Sequence, residues 1–299
     1  MRLLVTGGGG LLGGAAARRL SEAGVDVVAT RRTAGSTVEG DLDWLIADLT
    51  QPDALRDAGP FDVVVHAAAL LPRSHADSDT AATANSQIDG VVLAAAQRWS
   101  AAVVYLSSTA VYGSTSAPPN GMGEDQPLRP PGAYAAQKAR SEEAGRRQAD
   151  STGRPFTALR ISAPYGPGQR NRTVLRAFVE QAVSGEPLRY WGHGTRQQSF
   201  VHARDVARAC ELAAGCDGGT FNIAGAHTVT MRELAEIVAV AGGLGLTAVQ
   251  PSGELDPGED VRVSYRIDRA REQLGWKPEI SLQQGVTEWI RHLRATAPR

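Results

Sequence analysis

The feature that most constrains the fold is a run of glycines that follows a short apolar segment near the N-terminus. Residues 2–6 have the composition of a buried strand, and the next residues are Gly7-Gly8-Gly9-Gly10-Leu11-Leu12-Gly13, which lead into an Ala-rich amphipathic helix. Glycine at positions 7, 10 and 13 permits a tight turn, close approach of a ligand to the backbone, and close helix–strand packing. The first N–H groups of such a helix favour a diphosphate. The segment therefore predicts a dinucleotide-binding loop whose contacts are Gly7, Gly10, Leu11, Leu12 and Gly13.

Apolar runs alternate with helical patterns through the first 160 residues. The runs predict strands at 2–6, 25–30, 44–47, 63–67, 103–107 and 156–161, and the patterns between them predict helices at 11–23, 52–57, 80–99 and 134–152. This alternation is typical of the α/β class and predicts a doubly wound, parallel sheet of the Rossmann type. We expect residues 1–160 to form the dinucleotide-binding domain, with 199–223 returning to it. Residues 161–299 are expected to form a smaller C-terminal α/β lobe that binds the substrate.

Charge and composition exclude several functional classes. The chain has 31 Lys+Arg against 32 Asp+Glu, so it lacks the basic excess that nucleic acid or an anionic membrane surface requires. Its two cysteines, Cys210 and Cys216, do not suggest a secreted disulfide framework, and the apolar stretch at 63–71 is too short to span a membrane. The six histidines show no paired metal-ligand spacing. We expect a cytoplasmic protein with a small-molecule substrate and no metal, nucleic-acid or membrane partner.

The end of the second predicted strand indicates which dinucleotide binds. An acid at this position accepts a hydrogen bond from the ribose of NAD, whereas arginine binds the 2′-phosphate of NADP. Here the strand ends in Arg31 and Arg32 with no acid beside them, which favours NADP(H). NAD(H) remains the alternative, because arginine also stacks on adenine. Further cofactor contacts are expected after the third, fourth and fifth strands, at Asp48, Leu49, Ala67, Ala68, Ala69 and Ser107.

Tyr134 and Lys138 are spaced to share one face of a helix. A free phenol, with a pKa of about 10, is a poor base at neutral pH. A neighbouring ammonium and the positive ring of an oxidised nicotinamide would both lower that pKa, so Tyr134 would exchange a proton with a substrate oxygen. Ser108 ends the fifth strand, at the edge where such sheets bind ligands, and would hydrogen-bond the same oxygen.

The segment from Ser107 to Gly113, followed by Tyr134-x-x-x-Lys138, resembles the extended short-chain dehydrogenase/reductase superfamily, in particular its NAD(P)-dependent epimerase/dehydratase family of nucleotide-sugar enzymes. Segments at 165–169, 199–207, 221–225 and 274–278 also resemble family segments, so the resemblance covers essentially the whole chain. It implies a catalytic set of Ser108, Tyr134 and Lys138. It also implies that Asn85, Tyr134 and Lys138 belong to the cofactor-binding residues, with Asn85 ordering a water and the backbone near the lysine. By the same resemblance, the helices at 80–99 and 134–152 form a homodimer interface.

Departures from the family pattern narrow the implied reaction. Dehydratases of the family usually carry an Asp-Glu pair directly after the catalytic hydroxyl, where this chain has Thr109 and Ala110. Ala163 and Gln198 replace an asparagine and an arginine that often contact the nucleotide sugar, which weakens the case for that substrate. The residues that we expect to contact the substrate are Ser108, Thr109, Arg172, Arg196, Gln198 and Arg262.

These observations favour an NADPH-dependent ketoreductase that acts on a nucleotide-linked (deoxy)sugar, with Tyr134 as general acid/base. Two alternative activities are an NAD-dependent nucleotide-sugar 4-epimerase and a reductase of a non-sugar ketone or aldehyde. A dinucleotide-sensing protein without turnover is the alternative from a different class, and the intact hydroxyl, phenol and ammonium argue against it.

Overall fold

The computed structural model describes residues 1–33, 42–71, 77–113, 117–118 and 120–296. The helices in these ranges are α1 (Leu11–Glu22), α2 (Ser78–Trp99), α3 (Ala133–Thr152), α4 (Val174–Ser184), α5 (Ala203–Ala213), α6 (Met231–Gly242), α7 (Asp268–Leu274) and α8 (Leu282–Thr296). The strands are β1 (Arg2–Thr6), β2 (Asp26–Arg31), β3 (Asp43–Ile46), β4 (Val63–His66), β5 (Ala102–Ser108), β6 (Phe156–Ile161), β7 (Ala163–Tyr165), β8 (Leu188–Tyr190), β9 (Gln197–His202), β10 (Gly219–Ile223), β11 (Thr228–Thr230) and β12 (Val249–Pro251). None of these helices is long and apolar enough to cross a membrane.

Seven strands form a parallel sheet in the order β10-β6-β5-β4-β1-β2-β3. Helices α1, α5 and α7 pack on one face of this sheet, and α2 and α3 pack on the other. Because both faces are covered, the central strands β1 and β4 are buried on both sides and consist mostly of consecutive apolar residues rather than an alternating pattern. The predicted Rossmann-type α/β fold is therefore confirmed. The strand order reverses between β1 and β4, and ligands bind such sheets in the crevice at the carboxyl ends of the strands.

The predicted elements of the first 160 residues are found with end shifts of one or two residues, with one exception. The helix predicted at 52–57 is wrong, since this segment consists of consecutive turns with hydrogen bonds such as Ala54 N–H to Gln51 O and Arg56 N–H to Asp53 O. A segment of this length provides too few hydrogen bonds to offset the cost of nucleating a helix.

The smaller lobe is built from short strands and three helices. Strands β11, β9 and β7 form one sheet and β12 pairs with β8, while α4, α6 and α8 pack around a core that includes Val179, Leu234, Val238 and Trp289. Strand β9 lies in this small sheet, whereas β10 joins β6 in the large sheet. The chain thus passes more than once between sheet and lobe, and the domain boundaries themselves stay a prediction. Helices α2 and α3 pack on each other, and their predicted homodimer interface also stays a prediction.

Candidate active site

The glycine loop between β1 and α1 brings backbone against backbone. Gly7 has a φ of +69°, and its carbonyl oxygen accepts a hydrogen bond from Gly10 N–H at 2.9 Å. A Cβ atom at Gly13 would lie only 2.3 Å from the same oxygen, so no side chain fits there. At Gly9 a Cβ atom would meet nothing within 4 Å, and Gly10 is exposed. The loop therefore leaves its outer backbone open to a ligand at the N-terminus of α1, which is the cradle that a dinucleotide diphosphate requires.

Two cavities meet over this loop. One, of about 560 Å³, extends to the carboxyl ends of β5 and β6, the start of α3 and the smaller lobe. The other, of about 320 Å³, lies beside the ends of β2 and β3. Gly7, Gly10, Ala67 and Ala69 line both cavities. A bound dinucleotide would fit along them, with its adenosine in the smaller cavity and its nicotinamide in the larger one.

Most of the predicted adenosine contacts line the smaller cavity. Arg31, Arg32, Asp48, Leu49 and Ala68 do so. Arg170, from the loop before α4, joins them, and sequence reasoning missed it because it lies far away in the chain.

The charges in the smaller cavity are unevenly distributed. The guanidinium of Arg31 stacks 4.8 Å above the ring of Trp44. Asp48 accepts a hydrogen bond from the Thr50 hydroxyl at 2.8 Å, and this bond, with a smaller contribution from the charge of Arg32, lowers its pKa. Among the described residues that line this cavity, three are arginines and one is a carboxylate, so positive charge is in excess.

Ser108, Tyr134 and Lys138 all line the larger cavity. Ser108 ends β5, and its Oγ accepts a hydrogen bond from Ala110 N–H at 3.2 Å, which holds the chain as it turns away from the sheet. Burial raises the pKa of Tyr134, and a hydrogen bond with Ser108 offsets part of that rise. The hydroxyl and the phenol are thus neighbours on one wall, and a substrate oxygen between them would contact both.

Lys138 lies deeper than the other two. Its Nζ donates to the carbonyl oxygen of Leu106 at 2.9 Å and lies 4.5 Å from the centroid of the Tyr105 ring. We expect this ammonium, together with the positive ring of an oxidised nicotinamide, to lower the pKa of Tyr134, and that stays a prediction; in the chain without cofactor the pKa of Tyr134 is raised. Burial has the largest effect on Tyr134 and Asp89 adds to it, so the phenol keeps its proton. That is the form of Tyr134 that donates a proton to a carbonyl oxygen.

Asn85 and Thr109 lie outside the cavity linings, whereas Ser107 is part of the wall of the larger cavity. The buried amide of Asn85 accepts from Leu70 N–H at 2.7 Å and donates to Leu70 O at 3.0 Å, which fixes the segment after β4, although Asn85 itself lines neither cavity. Ser107 lines the larger cavity and donates to Glu142 at 2.6 Å. Thr109 is buried behind the cavity wall and hydrogen-bonds Tyr265.

Four polar side chains of the smaller lobe are predicted to contact the substrate, and two of them line the larger cavity. Arg196 and Gln198 line it, and Arg196 donates to Asp256 at 2.8 Å. Arg172 is exposed outside the cavity lining, and Arg262 donates to the backbone carbonyls of residues 259 and 261.

Sequence reasoning missed Ser162, which lines the larger cavity directly after β6. It is 4% exposed, and its hydroxyl has no hydrogen-bond partner among the residues that the structure describes. Its position at the carboxyl end of a central strand is the same signal that identified Ser108.

Comparison with protein families gives a match over most of the chain. The profile of the NAD dependent epimerase/dehydratase family matches residues 3–224. The match includes the glycine loop, the seven strands of the large sheet, and Ser108, Tyr134 and Lys138.

Individual relatives match at low identity but over nearly full length. The chain is 29% identical to a dTDP-glucose 4,6-dehydratase of Streptomyces griseus over 96% of this chain and 92% of the relative. Among solved structures, it is similar to the UDP-glucose 4-epimerase of Thermus thermophilus in complex with NAD, with a TM-score of 0.87, 25% identity, and coverage of 99% and 100% of the two chains. It is also similar to DesIV, a dTDP-glucose 4,6-dehydratase of Streptomyces venezuelae with NAD bound, with a TM-score of 0.86, 28% identity, and coverage of 99% and 98%.

Proposed function

The chain belongs to the NAD dependent epimerase/dehydratase family, and from that premise we propose that it is an NADPH-dependent ketoreductase that reduces a keto group of a nucleotide-linked sugar. The observation that carries the proposal is the placement of Ser108, Tyr134 and Lys138 around the larger cavity, while Thr109 and Ala110 follow the catalytic hydroxyl. Neither side chain ionises, so nothing at these two positions protonates a leaving hydroxyl and removes a neighbouring proton. The set is sufficient for oxidation and reduction and not for elimination.

The reaction uses the groups of this chain as follows. The substrate carbonyl oxygen lies between the Ser108 hydroxyl and the Tyr134 phenol, and both hydrogen-bond it as negative charge develops. Tyr134 gives its proton to that oxygen, and the charge of Lys138 stabilises the phenolate that remains. A nicotinamide bound in the larger cavity would supply hydride to the carbonyl carbon. Leu11, Leu12, Ala67 and Leu106 give that cavity apolar walls that limit access of water.

NADP(H) is the cofactor we propose, with NAD(H) as the alternative that the relatives favour. The support is the smaller cavity, whose lining includes Arg31, Arg32 and Arg170. A 2′-phosphate dianion at this place would meet guanidinium groups, which bind phosphate through paired, charge-assisted hydrogen bonds.

The second candidate function is 4-epimerisation of a nucleotide sugar with NAD. It is favoured by the likeness to an epimerase solved with NAD, and it too requires only the hydroxyl, the phenol and the lysine. A non-sugar ketone is the third candidate. It is favoured by the larger cavity, where Ala163 and Gln198 are uncharged and Arg196 is already paired with Asp256.

One pair of measurements separates these functions. The purified protein is denatured and any released dinucleotide is identified, and the native protein is then offered NADPH with a 4-keto-6-deoxy nucleotide sugar or with its saturated parent. We expect no retained dinucleotide, and loss of NADPH absorbance with the keto substrate alone. Retained NAD together with conversion of the saturated sugar would replace our proposal by the epimerase. Turnover of only simple ketones would replace the substrate class.

The arginines of the smaller cavity make the cofactor proposal testable by itself. We expect Arg32→Ala to weaken NADPH binding by about 10- to 100-fold, because it removes a charge-assisted hydrogen bond worth about 1.5–3 kcal/mol. NADH binding should change by less than about threefold, since NADH carries no 2′-phosphate. Isothermal titration of both cofactors measures this.

The matched control for that titration is Arg56→Ala. Arg56 is an exposed arginine that lines neither cavity and pairs with Asp53, so its loss should leave both affinities unchanged. Equal losses of NADPH and NADH affinity in Arg32→Ala would count against NADP(H).

A further inference from the structure

A chain of buried hydrogen bonds joins the strand before the glycine loop to helix α3. The Thr6 hydroxyl lies 2.8 Å from Nδ1 of His66, and Nε2 of His66 lies 2.9 Å from one oxygen of Asp89. The other oxygen of Asp89 accepts from the Tyr105 hydroxyl at 2.8 Å and from the Gln137 amide at 2.5 Å. None of these five side chains belongs to a residue more than 3% exposed. The chain of contacts lies wholly behind the cavity walls.

The hydrogen bonds of Thr6 determine where the proton of His66 resides. The Thr6 oxygen accepts from the N–H groups of Ala67 and Ala68, each at 3.1 Å, which uses both of its lone pairs. Its own O–H must therefore donate to Nδ1 of His66, so Nδ1 carries no proton. The proton of the ring is on Nε2, where it is donated to Asp89. His66 thus holds Asp89 through the hydrogen bond that its Nε2 donates.

Lys138 supplies the balancing charge across the ring of Tyr105. Its Nζ lies 4.5 Å from the ring centroid, and the hydroxyl of the same ring donates to Asp89. Burial lowers the pKa of Lys138, and Asp89 opposes that shift more than Glu142 does. In return, although burial acts to raise it, the pKa of Asp89 falls to about 2 through the hydrogen bond from His66 and, after it, the electrostatic interactions with His66 and Lys138. Glu142, the other carboxylate near Lys138, is paired with Arg160.

We propose that Asp89 is a positioning residue for the active site, the buried counter-charge that keeps Lys138 ionised while its hydrogen bond holds the Tyr105 ring beside the ammonium. The proposal rests on the proposed function in one respect, namely that Lys138 stabilises the phenolate of Tyr134. The charge pairing between Asp89 and Lys138 does not depend on a substrate. Without this carboxylate, an ammonium in a dry interior loses its proton at lower pH. The site would then keep Ser108 and Tyr134 but would no longer stabilise a phenolate.

Other titratable groups also face this pair, and each must be considered in a test. They are His66 from β4, Tyr105 from β5, and Tyr134 and Glu142 from α3. Tyr105 and Tyr134 are neutral near pH 7, because burial raises the pKa of each phenol. Glu142 is paired with Arg160, and its effect on the pKa of Lys138 is smaller than that of Asp89.

The sequence offers a direct readout, because it contains only two lysines, Lys138 and Lys277. Protein labelled with ¹³C and ¹⁵N in lysine gives one side-chain signal for each, and the exposed Lys277 serves as an internal reference. We expect Asp89→Asn to lower the titration midpoint of Lys138 by about one to three pH units, since that is the usual effect of losing an adjacent opposite charge. The midpoint of Lys277 should not move. The Oε1 atom of Gln137 has no partner in the described part of the chain, so Gln137 can turn to accept from the new amide.

Two further variants separate charge from packing. Asp89→Glu keeps the charge and should restore most of the Lys138 midpoint. Tyr105→Phe keeps both charges and deletes the hydroxyl between them. In this variant the titration midpoint of Lys138 should stay within about half a pH unit of the wild-type value. An unchanged midpoint in Asp89→Asn, or a shift in Tyr105→Phe as large as in Asp89→Asn, would overturn the proposal.

The wild-type chain provides a test that needs no variant. If Asp89→Asn does not fold, the Lys138 signal of the wild type must still be that of the charged form at pH 7, and a neutral Lys138 there would also overturn the proposal. These titrations require neither cofactor nor substrate. If the protein reduced no keto sugar, the proposed function would be disproved but the pairing of Asp89 with Lys138 would not be affected. If the titrations failed, the pairing would be disproved but the proposed function would not be affected.

Discussion

Replacing Tyr134 by phenylalanine should reduce kcat for carbonyl reduction by about 10²–10⁴-fold, the range over which a positioned general acid contributes to catalysis. The phenol lies beside Ser108 on the wall of the larger cavity and keeps its proton, because burial raises its pKa. A donor with a raised pKa is loaded at all pH values below that pKa, so the reductive rate should be nearly flat through neutral pH. The reverse oxidation needs the phenolate and should rise with pH. Affinity for NADPH should stay within about twofold in the variant, since the ring remains.

The matched control is Tyr190→Phe, which deletes a phenol oxygen from a tyrosine in the core of the smaller lobe, away from the lining of both cavities. Its kcat should be close to that of the wild type. Initial rates of NADPH oxidation and a binding titration measure both variants. A Tyr134→Phe enzyme that retains more than about a tenth of wild-type kcat would show that the proton comes from another group.

The second large effect concerns stability and involves Glu142. This carboxylate is fully buried and receives hydrogen bonds from Arg160 at 2.7 and 3.1 Å and from Ser107 at 2.6 Å. Glu142→Gln leaves the guanidinium of Arg160, which is 3% exposed, without its counter-charge. We expect the free energy of unfolding to fall by about 3–5 kcal/mol, the usual cost of breaking a buried ion pair by removing one partner. Urea denaturation followed by circular dichroism measures this loss.

The adjacent residue provides a stringent control. Glu143 is likewise part of an ion pair, with Arg146, but the Glu143 side chain is 52% exposed and solvent screens the interaction. Glu143→Gln should change the free energy of unfolding by no more than about 1 kcal/mol. If Glu142→Gln also lowered the free energy of unfolding by no more than about 1 kcal/mol, the interior around Arg160 would have to admit water or rearrange enough to hold an unpaired cation.

Much of the fold could be predicted because its signals are local. The strand before Gly7, the spacing of the glycines and the apolar runs that follow each depend on a few neighbouring residues, and the Rossmann-type sheet and the family resemblance are confirmed. The site at the carboxyl ends of the strands follows from topology, because parallel strands end at one edge. The helix predicted at 52–57 is wrong because the segment, although its residue types are compatible with a helix start, is too short to form one.

What could not be predicted depends on contacts between distant parts of the chain. Arg170 reaches the smaller cavity through a loop whose path no periodicity encodes, and nothing in the sequence distinguishes it from Arg172, which lies outside both linings. The raised pKa of Tyr134 in the chain without cofactor could not be predicted either, because helical spacing shows which side chains are neighbours but not how dry their surroundings are. Burial has the largest effect on the pKa of Tyr134 and raises it, the hydrogen bond with Ser108 offsets part of the rise, and the charge of Asp89 adds to it.

The unequal surroundings of the two lysines have a practical consequence. Lys138 is enclosed against Leu106 and Tyr105, while Lys277 is exposed after α7, outside the lining of both cavities. An amine-reactive dye, biotin or resin should therefore attach at Lys277 and the α-amino group, and leave the interior amine intact. The protein can be coupled at defined points to a sensor surface, with its catalytic face still open to solution.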